Sequence, residues 1–356
     1  MYLARPDSAV TAGTVASPPS PLHLPRLTVR RWAALGVLLI ALLVSVLASL
    51  SWGSSVIPLE RVWHYLQHPD ESNDSYIVNG LRVTRTLIGI LVGLALAVSG
   101  AVMQAVTRNP LADPGLLGVN SGASLAIVLG AAWGGLTSVG AQFALASVGA
   151  FAAAALVYAV GAFGSGGASP VRLVLAGVAF SAAAGGIISM ILLLKPRVFD
   201  AFRFWDVGAL TRMDVSPLVG AVPIAVGLVL VSLVARGLTD VSLGDDVAAA
   251  LGTNVARVRV VALVALTLLC ATATALAGPI SFVGLMIPLA CAWFAGPHRG
   301  WIIALSALAG PVLILAADVV GRLVARPAEL QVGLLTAFVG SPVLLYMVFK
   351  LKGDRR

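Results

Sequence analysis

Ten apolar segments, each near the length that crosses a bilayer, divide this chain. They fall at about 32–50, 86–106, 116–133, 139–163, 172–194, 217–235, 258–277, 280–294, 301–320 and 334–349. A helix needs about 20 apolar residues to span the hydrocarbon. Inside that layer backbone N–H and C=O groups find no water, so each segment must satisfy its own hydrogen bonds. The segments therefore predict an all-α, polytopic membrane protein of about ten transmembrane helices. Composition agrees: 11% of residues are charged, against about 25% in soluble domains.

Residues 1 to about 25 are rich in Pro, Ser and Ala without periodicity and are expected to be a disordered tail. Arg26, Arg30 and Arg31 then precede the first apolar run, which is longer than the roughly 7–15 residue core of a signal peptide. It reads as an uncleaved membrane helix, opening a single transmembrane domain over 26–352. An even number of spans puts both termini on one side. Cytoplasmic termini place most Lys and Arg inside, whereas the outside segments balance bases with acids. The net charge of +8 is thus a topology signal. No basic stripe interleaved with aromatics marks a nucleic-acid surface, and none is expected as a partner.

The energy source is constrained by what is missing. A phosphate-cradling loop ends in Gly-Lys-Ser/Thr, yet none of the three lysines, Lys195, Lys350 and Lys352, follows a glycine. Ion-coupled carriers place carboxylates inside the membrane; here only Asp318 falls within a span, one turn from Arg322, as a helix-end ion pair would. An ATPase partner remains. The segment 236–257 suits it: Ser242 or Gly244 caps a short helix, Asp245 and Asp246 fill its first turn, and Gly252 ends it.

Several motifs follow in order. They are Arg82-x-x-Arg85, Asn109-Pro110-Leu111-Ala-Asp113-Pro114-Gly115 through Gly122-Ala123, Phe204-Trp205-Asp-Val-Gly208, and Leu243-Gly244-Asp245-Asp246-x-Ala248-x-x-Leu251-Gly252. Gly278-Pro-Ile-Ser-Phe282-Val-Gly284-Leu-Met-Ile-Pro288, Asp318-Val-Val-Gly-Arg322 and Glu329-Leu-Gln-Val-Gly333 complete the set. Over roughly 80–350 the chain closely resembles the permease subunits of the type II ABC importers for iron-siderophores and vitamin B12, the FecCD-type family. The resemblance implies a bundle like the vitamin B12 importer permease, a second permease subunit, two ATPase subunits that bind ATP and Mg, and an extracytoplasmic substrate-binding protein. It implies a metal chelate as substrate, an iron-siderophore ahead of cobalamin or haem, in a lipid bilayer, with no cofactor on this chain. By position, Arg82, Arg85 and Arg322 would meet glutamates of the binding protein. Asn109, Pro110 and Leu111 would form an inner gate and Ser169 part of a second. Gly244, Asp245, Asp246, Ala248, Leu251 and Gly252 would dock the ATPase.

The chain departs from that family at Pro288-Leu289-Ala-Cys-Ala292, where Pro-His-x-x-Arg is usual, and Gln331 replaces a proline. A heterodimer with a different second permease is expected from this divergence. The rival readings are a stand-alone secondary transporter or channel and a non-transporting scaffold. His64 and His68, spaced i,i+4 near Asp70, give only a weak metal pattern, and Cys270 and Cys291 read as small core residues. No metal site is expected. No nucleophile stands near a base, and the chain does not read as an enzyme.

Overall fold

The computed structural model describes residues 24–162, 170–211, 216–326 and 328–353. Apart from Leu24 and Pro25, the expected tail lies outside them. The elements are α1 (Leu24–Ser51), α2 (Leu59–Gln67), α3 (Asn73–Tyr76), a π turn (Ile77–Arg82), α4 (Val83–Thr107), a 3₁₀ turn (Pro114–Leu117), α5 (Val119–Gly134) and α6 (Val139–Ala162). Then come α7 (Pro170–Leu194), α8 (Pro196–Asp206), α9 (Pro217–Leu243), α10 (Asp245–Ala250), α11 (Val255–Ala277), α12 (Val283–Ala295), α13 (Arg299–Val324) and α14 (Val332–Gly353). No strand occurs among the described residues. Each of the ten apolar segments is a helix; seven helices are long enough to span, and Val119–Gly134, Val283–Ala295 and Val332–Met347 are shorter.

The second segment differs most from expectation. The helix does not begin near residue 86 but at Asn73, capped by Ser72, whose hydroxyl accepts from Ser75 N. It runs through the π turn to Thr107, 35 residues in all, roughly 52 Å at 1.5 Å per residue. Arg82 and Arg85 therefore sit inside a continuous helix rather than at its mouth.

α4 is the centre of the bundle, with α9, α11, α12 and α13 packed around it. Small residues set how close they come. A Cβ at Gly93 would lie 2.6 Å from the Gly310 backbone on α13, and one at Gly100 would overlap the Gly284 carbonyl on α12. Without a hydrophobic drive between helices in lipid, such close contact supplies the packing energy. Gly122 and Gly149 bring α5 and α6 together in the same way.

Three distant motifs also converge. Trp205, fully buried, ends α8 beside Gly208. Ala209 N donates to Ala277 O at 2.7 Å, and Gly333 N donates to Gly208 O at 3.1 Å. Gly278, at φ 77°, turns where a side chain would strike the Trp205 carbonyl. The start of α14 is thus tied to the turn before α12 through the end of α8.

Where the chain replaces Pro-His-x-x-Arg, Leu289 packs with Met286 and Met347 in an apolar cluster between α12 and α14. Ala292 packs against the main core instead.

Candidate functional site

Polar residues gather at the two ends of α4. At the first end, Arg85 reaches Asp318 on α13 with Nε 2.9 Å from Oδ1 and a terminal nitrogen 2.7 Å from the same oxygen. Its other terminal nitrogen is 2.6 Å from Glu329, in the segment between α13 and α14. Arg322 closes on Asp318 at 2.9 Å, one turn along α13, and also donates to the Ser49 carbonyl and hydroxyl of α1, both at 3.1 Å. Among the described residues Arg82 forms no ion pair with a carboxylate. It donates to the carbonyls of Leu50, Ser51 and Ser55 at 2.5–2.7 Å.

By resemblance these arginines would meet the binding protein from the outer ends of helices, yet within the subunit their side chains are buried. Arg82, Arg85 and Arg322 are 4%, 7% and 2% exposed. The physical reason is local: every guanidinium has acceptors within the chain, so its desolvation is offset by charge-assisted hydrogen bonds. Three guanidinium groups face two carboxylates, leaving the cluster one charge positive. It borders a cavity of about 280 Å³ that Glu329 and Thr211 also line.

At the other end, α4 stops at Arg108, whose backbone is left-handed at φ 52°. Pro110 then bars continuation. Asn109 Oδ1 accepts from Leu111 N at 3.0 Å, forming a tight turn. Asn109, Pro110 and Leu111 are exposed and Ala112 is buried. Asp113 Oδ1 accepts from Gly115 N at 2.7 Å and starts the 3₁₀ turn. Burial pushes the Asp113 carboxyl above its ordinary value, against the pull of that N–H. Asn120 accepts from Thr274 of α11 at 2.8 Å, and Gln104 of α4 donates to Leu285 O of α12 at 3.0 Å.

The short helix expected after Gly244 is present as α10, with Asp245 and Asp246 in its first turn. Gly244 is its N-cap, while Ser242 donates back to Thr239 O. Ala248 is buried beneath it, and Leu243, Val247 and Leu251 face outward. Gly252 turns at φ 83°, and Thr253 donates to Asp240 at 2.6 Å. Ser169 lies outside the described residues; α7 begins at Pro170.

Two relationships escaped the sequence. Arg108 donates from Nε to Val241 O at 2.8 Å and pairs with Asp245, which Arg259 of α11 also holds at 2.9 Å. Glu329 joins the Arg85–Asp318 pair across 244 residues. The only available signal was that charges confined to the ends of apolar segments need partners at the same end. The rings of His64 and His68 lie 5.5 Å apart, but among the described residues no group of three His, Cys, Asp or Glu is arranged to hold a metal.

Comparison with known proteins agrees with this architecture. The chain is 45% identical over 321 residues to the ferric enterobactin transport system permease protein FepD of Escherichia coli strain K12, covering 90% of this chain and 96% of that one. It is 38% identical over 305 residues to the iron(3+)-hydroxamate import system permease protein FhuB of Bacillus subtilis strain 168, covering 84% and 78%. A solved structure described as an inward-facing metal-chelate type ABC transporter superposes with a TM-score of 0.76 at 27% identity, over 89% of this chain and 99% of the other. The family profile for the FecCD transport family matches residues 41–350, and the chain belongs to that family.

Proposed function

We propose that this chain is the membrane permease subunit of an ABC importer that carries a ferric siderophore, or a related metal chelate, into the cytoplasm. The observation that carries it is the near full-length likeness to permeases named for ferric enterobactin and iron-hydroxamate transport, on a bundle with polar machinery at both ends of one central helix. The termini are cytoplasmic, as the Lys and Arg distribution favours. The end bearing Arg82, Arg85 and Arg322 then faces outward, where a substrate-binding protein docks. The end bearing the 109–111 loop and α10 faces inward.

In this reading ATP and Mg stay on the ATPase subunits. Leu243, Val247 and Leu251 give α10 an exposed apolar side for an ATPase groove. The chelate passes beside α7, where Gly185 and Gly186 have open space around them, and alternating access moves it inward. Asn109, Pro110 and Leu111 restrict the inner mouth, with Ser169 at a second loop. The second permease subunit is a different chain, because Leu289 and Ala292 replace the polar pair usual at the inner end of α12.

The test is uptake into proteoliposomes holding this subunit with its co-expressed partners, ATP inside and binding protein outside. The panel is ferric enterobactin, a ferric hydroxamate, ferric citrate, haem and cobalamin. ATP-dependent uptake of an iron chelate, lost in Asp245→Arg/Asp246→Arg, is expected. Uptake without an ATPase points to a carrier, and none in a complete assembly points to a scaffold.

A further inference from the structure

Two segments that sequence reading treats separately are joined at the α10 end of the bundle. One is the loop that ends α4, residues 108–112. The other is the junction of α9 and α10. Arg108 is the joint. Its Nε donates to the last turn of α9 at Val241 O, 2.8 Å away, and its terminal nitrogen meets Asp245 Oδ1 in the first turn of α10. Asp245 is shared with Arg259, 3.0 and 2.9 Å from its two oxygens. One carboxylate therefore binds the α4 end, α10 and the first turns of α11 into one polar knot.

The backbone at Arg108 serves this geometry. It is one of two non-glycine residues at positive φ among the described residues. A side chain there is strained relative to glycine. Something must hold it, and the two contacts of its guanidinium do. The Asn109–Leu111 turn follows immediately, so the direction in which the loop leaves α4 depends on where Arg108 is held.

We infer that Arg108 is a positioning residue that makes the 109–111 loop follow α10 when α10 is displaced. The inference rests on the reading of α10 as the ATPase contact. The guanidinium makes a directional contact with each of two elements, so it fixes an orientation as well as an attraction. The pair is partly solvated, with side chains 37% and 44% exposed. It contributes little to stability and is free to transmit a shift without holding the fold together.

The test measures substrate taken up per ATP hydrolysed in the complete assembly for the parent protein, Arg108→Gln and Arg108→Lys. Arg108→Gln is expected to keep ATP hydrolysis but lower uptake per ATP by roughly 2- to 30-fold, the range for residues that carry coupling. Arg108→Lys keeps the charge but cannot reproduce both directional contacts, and is expected to stay well below the parent. A second readout needs no transport. Nitroxides at Leu111→Cys and Val247→Cys report the loop-to-α10 distance; the two native cysteines are buried. The distance distribution is expected to be narrow in the parent and broadened in Arg108→Gln, with or without ATP. If Arg108→Gln does not assemble, the labelled permease alone in nanodiscs gives the same reading. An unchanged distribution, or parental uptake per ATP in either Arg108→Gln or Arg108→Lys, overturns the inference and leaves the importer reading standing. A parent assembly that hydrolyses ATP without uptake overturns the importer reading instead.

Discussion

Arg85 and Asp318, 233 positions apart in the chain, form a two-pronged ion pair that joins α4 to α13, with Nε at 2.9 and 3.1 Å from the two carboxylate oxygens. Both side chains are buried, at 9% and 1% exposure. Asp318 also serves Arg322, so a single carboxylate bridges two guanidinium groups.

Removing that carboxylate leaves two buried cations facing each other. Asp318→Asn is expected to destabilise the subunit by about 3–5 kcal/mol. Thermal unfolding of purified protein in detergent checks this. Arg85→Met/Asp318→Leu should recover part of the loss, because the uncompensated charge is then reduced.

Glu329 contacts the same Arg85 but is 34% exposed. Solvent screens the pair, and Glu329→Gln is expected to cost only about 0.5–1 kcal/mol. In the same unfolding assay the two variants should separate clearly. Equal losses would show that burial does not grade this cluster.

The glycines on α4 are expected to differ by what stands opposite. At Gly100 the opposing atoms are the Gly284 backbone, and at Gly89 the nearest atom is Leu315 Cδ2, 2.7 Å away, at the end of a flexible side chain. Gly100→Ala must force α12 away and is expected to cost about 1–3 kcal/mol or abolish folded yield. Gly89→Ala should be tolerated with a rotamer change. Folded yield on size-exclusion chromatography in detergent checks both.

Asp113 predicts a pH dependence of defined sign. Burial raises its folded pKa, so the folded state favours the protonated acid. Its contribution is fully present below the ordinary value of 3.8 and is lost as pH rises through the shifted value. Asp113→Asn keeps an oxygen for Gly115 N and removes the ionisation. It should match or exceed the parent's thermal stability at pH 7–8, the advantage shrinking as pH falls. Asp113→Ala, which loses the cap, should fall below the parent across the range.

The ten helices were legible because hydropathy alone reports where a chain can enter lipid. The α10 helix was legible because Gly244, Asp245 and Asp246 are local capping signals. What the sequence did not reveal depends on partners far along the chain. The apolar start of the second span hid the helical turns 73–85, which are polar on average and held by the Ser72 cap. Arg82, Arg85 and Arg322 read as surface charges because their acceptors, at Leu50, Asp318 and Ser49, come from other helices. The docking of Gly333 on Gly208 uses backbone groups alone, which no side-chain pattern announces.

The central helix has a symmetry of position. Arg85 lies as many residues before Gly93 as Arg108 lies after Gly100. The two glycines, pressed on α13 and α12, lie midway between the ion clusters. The arms are equal, roughly 17 Å each at 1.5 Å per residue. Any rigid tilt of α4 about these two contacts would therefore displace its two charged ends equally and in opposite directions.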